Sequence, residues 1–137
     1  MIKLSKLTDY AVVILAEMAK SEGNLATASV LADKTKLPEP TVAKVLKLLT
    51  KGGVIVSSRG VNGGYKLSDH PEQISIARVV VALEGPVELA SCVEGGDECC
   101  IHSGTCAIKG HWNPINLAMK NALESVSLAQ MIGGHSA

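Results

Sequence analysis

The sequence predicts a mainly α-helical fold with one small β-hairpin. Apolar residues recur at threes and fours through several stretches, as they do in helices with one buried face. The period shifts to two in one region, on either side of a glycine-rich turn. Just before that shift, two short helical stretches are joined by a tight, proline-containing turn. Helix, turn, helix and hairpin in that order describe a winged helix-turn-helix. A further apolar seam near the C-terminus predicts a long dimerisation helix.

The first helix is "LTDYAVVILAEMA", where Leu7, Tyr10, Ala11, Ile14, Leu15 and Met18 share a face and Gly23 and Asn24 supply the stop. "TASVLADKT" follows, with Thr27 as N-cap and Val30 and Leu31 as inward anchors. After "KLPEP", the stretch "TVAKVLKLLTKGG" aligns Val42, Val45, Leu46 and Leu49 in a stripe. Lys44, Lys47 and Lys51 lie off it, toward solvent or phosphate. Pro38 and Pro40 stand at the helix start, where a missing N–H costs little, and Gly52 and Gly53 end it. Recognition helices meet base edges with their N-terminal residues, so Glu39, Pro40 and Thr41, with Lys44 beside them, are the expected DNA contacts.

"VIVSS", "RGVNGG" and "YKL" then read as strand, turn and returning strand. Arg59 at the tip suits minor-groove insertion or a phosphate contact; the alternative is an incidental hairpin with a solvated arginine. "SIARVVVALEG" is a further helix capped by Ser75, with Ile76, Val79, Val80 and Leu83 inward and Gly85 and Pro86 closing it. Trp112, Ile115, Met119, Ala122 and Val126 then form a coiled-coil-like seam. Such a seam packs either on its own domain or on a second subunit, and the dimeric habit of helix-turn-helix proteins favours the second. "SLAQMI" opens a last short helix capped by Ser127. The expected organisation is a winged DNA-binding domain over 1–85, a cysteine-rich loop over 86–111, and a dimerisation helix with its tail over 112–137.

Composition narrows the class. At 137 residues and 47 % apolar, the chain can bury a core without disulfides, although it contains no phenylalanine. It has no apolar run long enough for a membrane span. Its opening residues lack a small-residue cleavage site and carry Asp9 and Glu17, so no signal peptide and a cytoplasmic location are expected. The zero net charge hides an asymmetry: positions 1–70 hold ten Lys or Arg against six Asp or Glu, and positions 71–137 hold three against seven. No phosphate loop, dinucleotide fingerprint or nucleophile pattern supports an enzyme.

All four cysteines, Cys92, Cys99, Cys100 and Cys106, fall in "SCVEGGDECCIHSGTC". In a cytoplasmic protein such a cluster points to metal or redox chemistry. None forms a C-x-x-C pair, and zinc-finger spacing is absent. Gly95, Gly96 and Gly104 would let the loop wrap a bulky group, and thiolates on glycine-rich loops hold iron–sulfur clusters. Adjacent cysteines diverge, which leaves three good ligands: Cys92, one of Cys99 and Cys100, and Cys106. A fourth must come from elsewhere, with His102 and His111 nearby. Zinc and a thiol-redox role remain alternatives on the residues alone.

Together, "LTDYAVVILAEMA", the stretch from "LADKTKLPEP" through "RGVNGGYKL" with its RGxxGGYxL pattern, the cysteine region and the tryptophan after it resemble one family. It is that of the bacterial winged-helix iron–sulfur regulators typified by IscR and NsrR, with a closer likeness to regulators of SUF iron–sulfur assembly. The resemblance spans nearly the whole chain. It implies a homodimeric transcription factor that binds double-stranded operator DNA, with RNA polymerase and iron–sulfur assembly proteins as further candidate partners. It implies Cys92, Cys100 and Cys106 as cluster ligands, with Cys99 as the alternative to Cys100. Where the IscR-like pattern has a ligating histidine, this chain has Lys109. In the NsrR-like pattern the aspartate of "TDY", here Asp9, completes the site from the partner subunit; His102 and His111 are the alternatives. A [2Fe–2S] cluster is slightly favoured over [4Fe–4S]. The rival readings are a nitric-oxide- or redox-responsive repressor of the same family, a zinc- or thiol-dependent regulator on the same scaffold, and a scaffold that receives clusters without binding DNA.

Overall fold

The computed structural model describes residues 4–21, 23–61, 63–87 and 111–133. Its elements run α1 (Lys6–Lys20), α2 (Ala28–Thr35), α3 (Glu39–Lys51), β1 (Ile55–Ser58), β2 (Gly64–Leu67), a 3-10 turn (Pro71–Gln73), α4 (Ile76–Glu84), α5 (Asn113–Ser125) and α6 (Leu128–Gly133). It is the mainly α fold with a hairpin wing that the sequence predicts.

Each helix start has a local cause. The Ser5 hydroxyl accepts from the Thr8 N–H at α1, Thr27 from Val30 at α2, and Ser75 from Arg78 at α4. α6 carries a capping box: the Gln130 N–H donates to the Ser127 hydroxyl at 3.1 Å, and the Ser127 N–H donates back to the Gln130 side chain at 2.8 Å. α1 stops at Lys20, three residues before the glycine expected to end it. Lys36, left-handed at φ 62°, closes α2 and swings the chain into α3, which follows Pro38 and has Pro40 in its first turn.

The core is aliphatic. Ile14 and Leu15 from α1, Leu31 from α2, the stripe Val42, Val45, Leu46 and Leu49 from α3, Ile55 from β1, Val79 from α4 and Leu128 from α6 are all buried. Val30, expected to point inward beside Leu31, is 44 % exposed. Neighbouring helical positions differ by about 100° around the axis, so Leu31 alone takes the inward place. α3 and α4 pack closely at Gly52, where an added Cβ would stand 2.5 Å from that of Ala82.

The hairpin pairs Ile55 with Leu67 through Ser58 with Gly64. Ala26, just before α2, joins its free edge: the Ala26 N–H donates to the Tyr65 carbonyl at 2.9 Å, and the Tyr65 N–H to the Ala26 carbonyl at 2.8 Å. The C-terminal end closes on α4 in a similar way. The Ile76 N–H donates to Val126 and the Leu128 N–H to Ile74, each at 2.8 Å.

α5 falls on the stretch where the seam was expected, and its two sides differ. Asn116 is buried, and Leu123 and Val126 pack on the core. Trp112, Ile115 and Leu117 face outward, between 44 % and 58 % exposed.

Candidate functional site

One stretch of the chain gathers cations. From position 40 to position 68 the chain contains no Asp or Glu but has Lys44, Lys47, Lys51, Arg59 and Lys66, and all five are exposed. The first three lie on α3 opposite its buried stripe; the last two belong to the hairpin. Glu39 and Pro40 are exposed in the first turn of α3, while Thr41 is half-buried at its flank. The α3 start has no side-chain cap. The residues expected at DNA thus lie on α3 and on the wing that follows it.

The wing is held stiffly. The Gly63 N–H donates to the Gly60 carbonyl at 2.9 Å, and Gly60 takes φ 111°, where a side chain would strain the backbone. A Cβ on Gly63 would meet the Ser58 oxygen at 2.5 Å, and one on Gly64 the Ala26 oxygen at 2.8 Å. The RGxxGGYxL pattern therefore has a geometric basis: two glycines admit close backbone approach, and Tyr65 takes the bridge to Ala26. At the base, the Arg78 guanidinium donates to the Gly53 carbonyl at 2.7 Å, to the Ser68 hydroxyl at 3.3 Å and to Asp69 at 3.3 Å. It braces both strand ends against α4.

A second set of contacts lies where the chain enters and leaves the cysteine region. Cys92, Cys99, Cys100, Cys106 and His102 lie outside the described residues. Glu84, the last residue of α4, accepts from the Ser5 N–H at 3.2 Å and from the Thr8 hydroxyl at 2.8 Å. It therefore ties the start of α1 to the segment that runs on through Gly85 and Pro86 to Val87. Asp9 follows Thr8 directly and is exposed. The amide of Asn116, 3 % exposed on α5, donates to the Val87 carbonyl at 3.0 Å. His111, exposed, precedes α5. Residues 87 and 116, on either side of the cysteine region, are thus bonded to each other. Among the described residues no three His, Cys, Asp or Glu side chains come together as a metal site.

Sequence reasoning did not single out Arg78, Glu84 or Asn116 as site residues. Two of them carried a readable signal. An acid at a helix C-terminus opposes the macrodipole and calls for a partner, as Glu84 does. An asparagine inside a helix is a poor former, so a mid-helix Asn116 points to a side-chain hydrogen bond. Arg78 gave no such sign.

A helix-turn-helix with an exposed cationic α3 and a braced wing defines a DNA-binding transcriptional regulator rather than an enzyme. The chain belongs to the Rrf2 family, described as iron-dependent transcriptional regulator, whose model matches residues 4–134. It is 32 % identical over 130 residues to the HTH-type transcriptional regulator NsrR of Oceanobacillus iheyensis, covering 94 % of this chain and 88 % of that one. It is 28 % identical over 131 residues to NsrR of Bacillus subtilis, covering 95 % and 90 %. Among solved structures, CymR, the global cysteine regulator of B. subtilis, aligns with a TM-score of 0.70 at 27 % identity over 97 % of this chain and 98 % of that one. IscR of T. potens aligns at 0.65 and 24 % identity over 98 % and 88 %, a likeness of fold.

Proposed function

We propose that the protein is a homodimeric, cytoplasmic regulator that reports iron–sulfur status to operator DNA, with genes of iron–sulfur assembly as its targets. The observation that carries this reading is the confinement of every cysteine to one glycine-rich segment of an iron-dependent regulator family member. The donor set fits the group: thiolates are the ordinary ligands of such clusters, and the Asp9 carboxylate is exposed beside the Ser5–Thr8–Glu84 tie. Cys92, Cys100 and Cys106 would hold it, with Asp9 of the partner subunit as fourth ligand. A bound cluster would supply a site that oxygen, nitric oxide or a competing thiol attacks most readily where the ligand is a carboxylate.

This chain's own residues carry the coupling. Asn116 holds the roots of the cysteine region together, and Glu84 links its entrance to α1, which packs on α2 and α3. A change in the region therefore has a path to the spacing of two recognition helices. On DNA that spacing must match about one helical turn. The outward residues Ile115 and Leu117 of α5, with Trp112 just before it, supply apolar surface for a second subunit. At the operator, Glu39, Pro40 and Thr41 meet base edges, Lys44 the backbone and Arg59 the minor groove.

Anaerobic reconstitution tests the reading. Wild-type protein is expected to hold iron and sulfide and to absorb visible light, and Cys106→Ala to lose both; a wild-type spectrum in that variant refutes the ligand assignment. Asp9→Ala is expected to assemble a cluster that bleaches faster in air. A second reading, a thiol-based regulator without a cluster, draws on the likeness to CymR, named for cysteine regulation. Colourless, zinc-free protein whose DNA affinity follows thiol oxidation would select it.

A further inference from the structure

The wing carries a feature that the run of cations does not explain. Val61 stands at the first corner of the Gly60–Gly63 turn and is 104 % exposed, more than any other large apolar residue among those described. An isopropyl group on a floppy tip would mean little. This one is held outward by a locked turn: Gly60 is left-handed, the Gly63 N–H bonds back to it, and Gly63 and Gly64 are pressed against backbone oxygens. The hairpin below is braced on both sides, by Ala26 at its edge and Arg78 at its base. A stiff mount that ends in an apolar group beside an exposed arginine is suited to entering something narrow and negatively charged.

We propose that Val61 enters the minor groove of the operator beside Arg59 and makes that site selective for A·T pairs. The inference rests on the reading of the molecule as an operator-binding protein and adds a specificity residue to it. The chemistry is simple. The minor-groove edge of an A·T pair offers only acceptors along its floor, whereas a G·C pair adds the guanine 2-amino group. An isopropyl group seated on the floor leaves such an amino group without a hydrogen-bond partner and crowds it. Arg59 supplies charge attraction to the same groove, and Val61 supplies the exclusion. Apolar side chains do enter minor grooves in DNA-binding proteins.

The test uses the full-length protein, reconstituted and cluster-free, and a labelled duplex enriched from a random library by the wild type. Because Val61 is exposed, Val61→Ser is expected to leave the unfolding midpoint unchanged. It should weaken binding roughly four- to fifteen-fold, the loss of one or two buried methyl groups. Val61→Ile should retain wild-type affinity. The variant carries no change of charge, so the slope of affinity against salt stays as in wild type, whereas Arg59→Ala lowers it by about one. Replacing adenine by 2,6-diaminopurine at the wing site adds only the minor-groove amino group. That is expected to weaken wild type at least about fivefold and Val61→Ser little. Equal binding by Val61→Ser and wild type overturns the proposal, as does an equal diaminopurine penalty in both or a changed salt slope in Val61→Ser. If the wild type enriches no duplex at all, the operator-binding reading fails and the Val61 assignment with it. That result is distinct from a wild type that binds and a variant that binds equally.

Discussion

Gly64 shows how much a single methyl group can matter here. Its hydrogen faces the backbone of Ala26, and a Cβ there would come within 2.8 Å of the carbonyl oxygen. Gly64→Ala must push apart the bridge that ties the wing to the start of α2, so a loss of about 1–3 kcal/mol in urea denaturation is expected. The cost also falls on function, because the wing leaves its brace. Arg59 lies at the other extreme. It is exposed, and Arg59→Ala should leave the unfolding midpoint in place. Its effect appears in operator titrations, as a loss of affinity that shrinks as salt is raised. Side by side, the two substitutions separate what builds the wing from what the wing touches.

Among the elements, α1 and α5 differ most from what periodicity alone predicts. Both are helices where threes and fours place them, and each is held in addition by a polar side-chain contact. Glu84 holds the first turn of α1 through the buried Thr8, so Glu84→Ala should cost about 0.5–1.5 kcal/mol, the worth of one hydrogen bond, because the Ser5 hydroxyl 3.2 Å away remains a partner for Thr8. Asn116→Asp is a sharper probe, since it keeps size and shape but removes the N–H that the Val87 carbonyl accepts; a similar loss of about 1–3 kcal/mol is expected in thermal or urea unfolding. The caps at Thr27, Ser75 and Ser127, the α3 stripe and the presence of the hairpin were legible in the sequence, because each depends on neighbours a few residues apart. The ties of Glu84 to Thr8 and of Asn116 to Val87 were not, because they join positions 76 and 29 residues apart and no local pattern encodes the partner. Val30 was misplaced for a related reason: a helix of eight residues has room for few anchors, and apolar character alone does not say which of two adjacent residues faces in.

For the whole molecule, charge and burial divide the labour. The stretch from 40 to 68 presents cations and no acid, and ten of the thirteen Lys and Arg lie in positions 1–70, while the acids are spread evenly, six there and seven after. This division was readable from the sequence, as was the expectation of DNA contact. The candidate ligands Cys92, Cys106 and one of Cys99 and Cys100 come from the loop's own spacing, whereas Asp9, far away along the chain, enters only through the family likeness. One feature of the architecture bears on how the protein is made. Leu128 is fully buried, and the Val126 and Leu128 backbones bond to the start of α4, so the winged domain is completed by residues synthesised after every cysteine. A chain released early, for instance at residue 87, would lack that plug and the Asn116 clasp. It is expected to show no cooperative unfolding transition by circular dichroism and no duplex binding. On that expectation the order of synthesis matters: a chain cut short ahead of its cysteines also lacks Leu128, and the core of the winged domain stays unfilled.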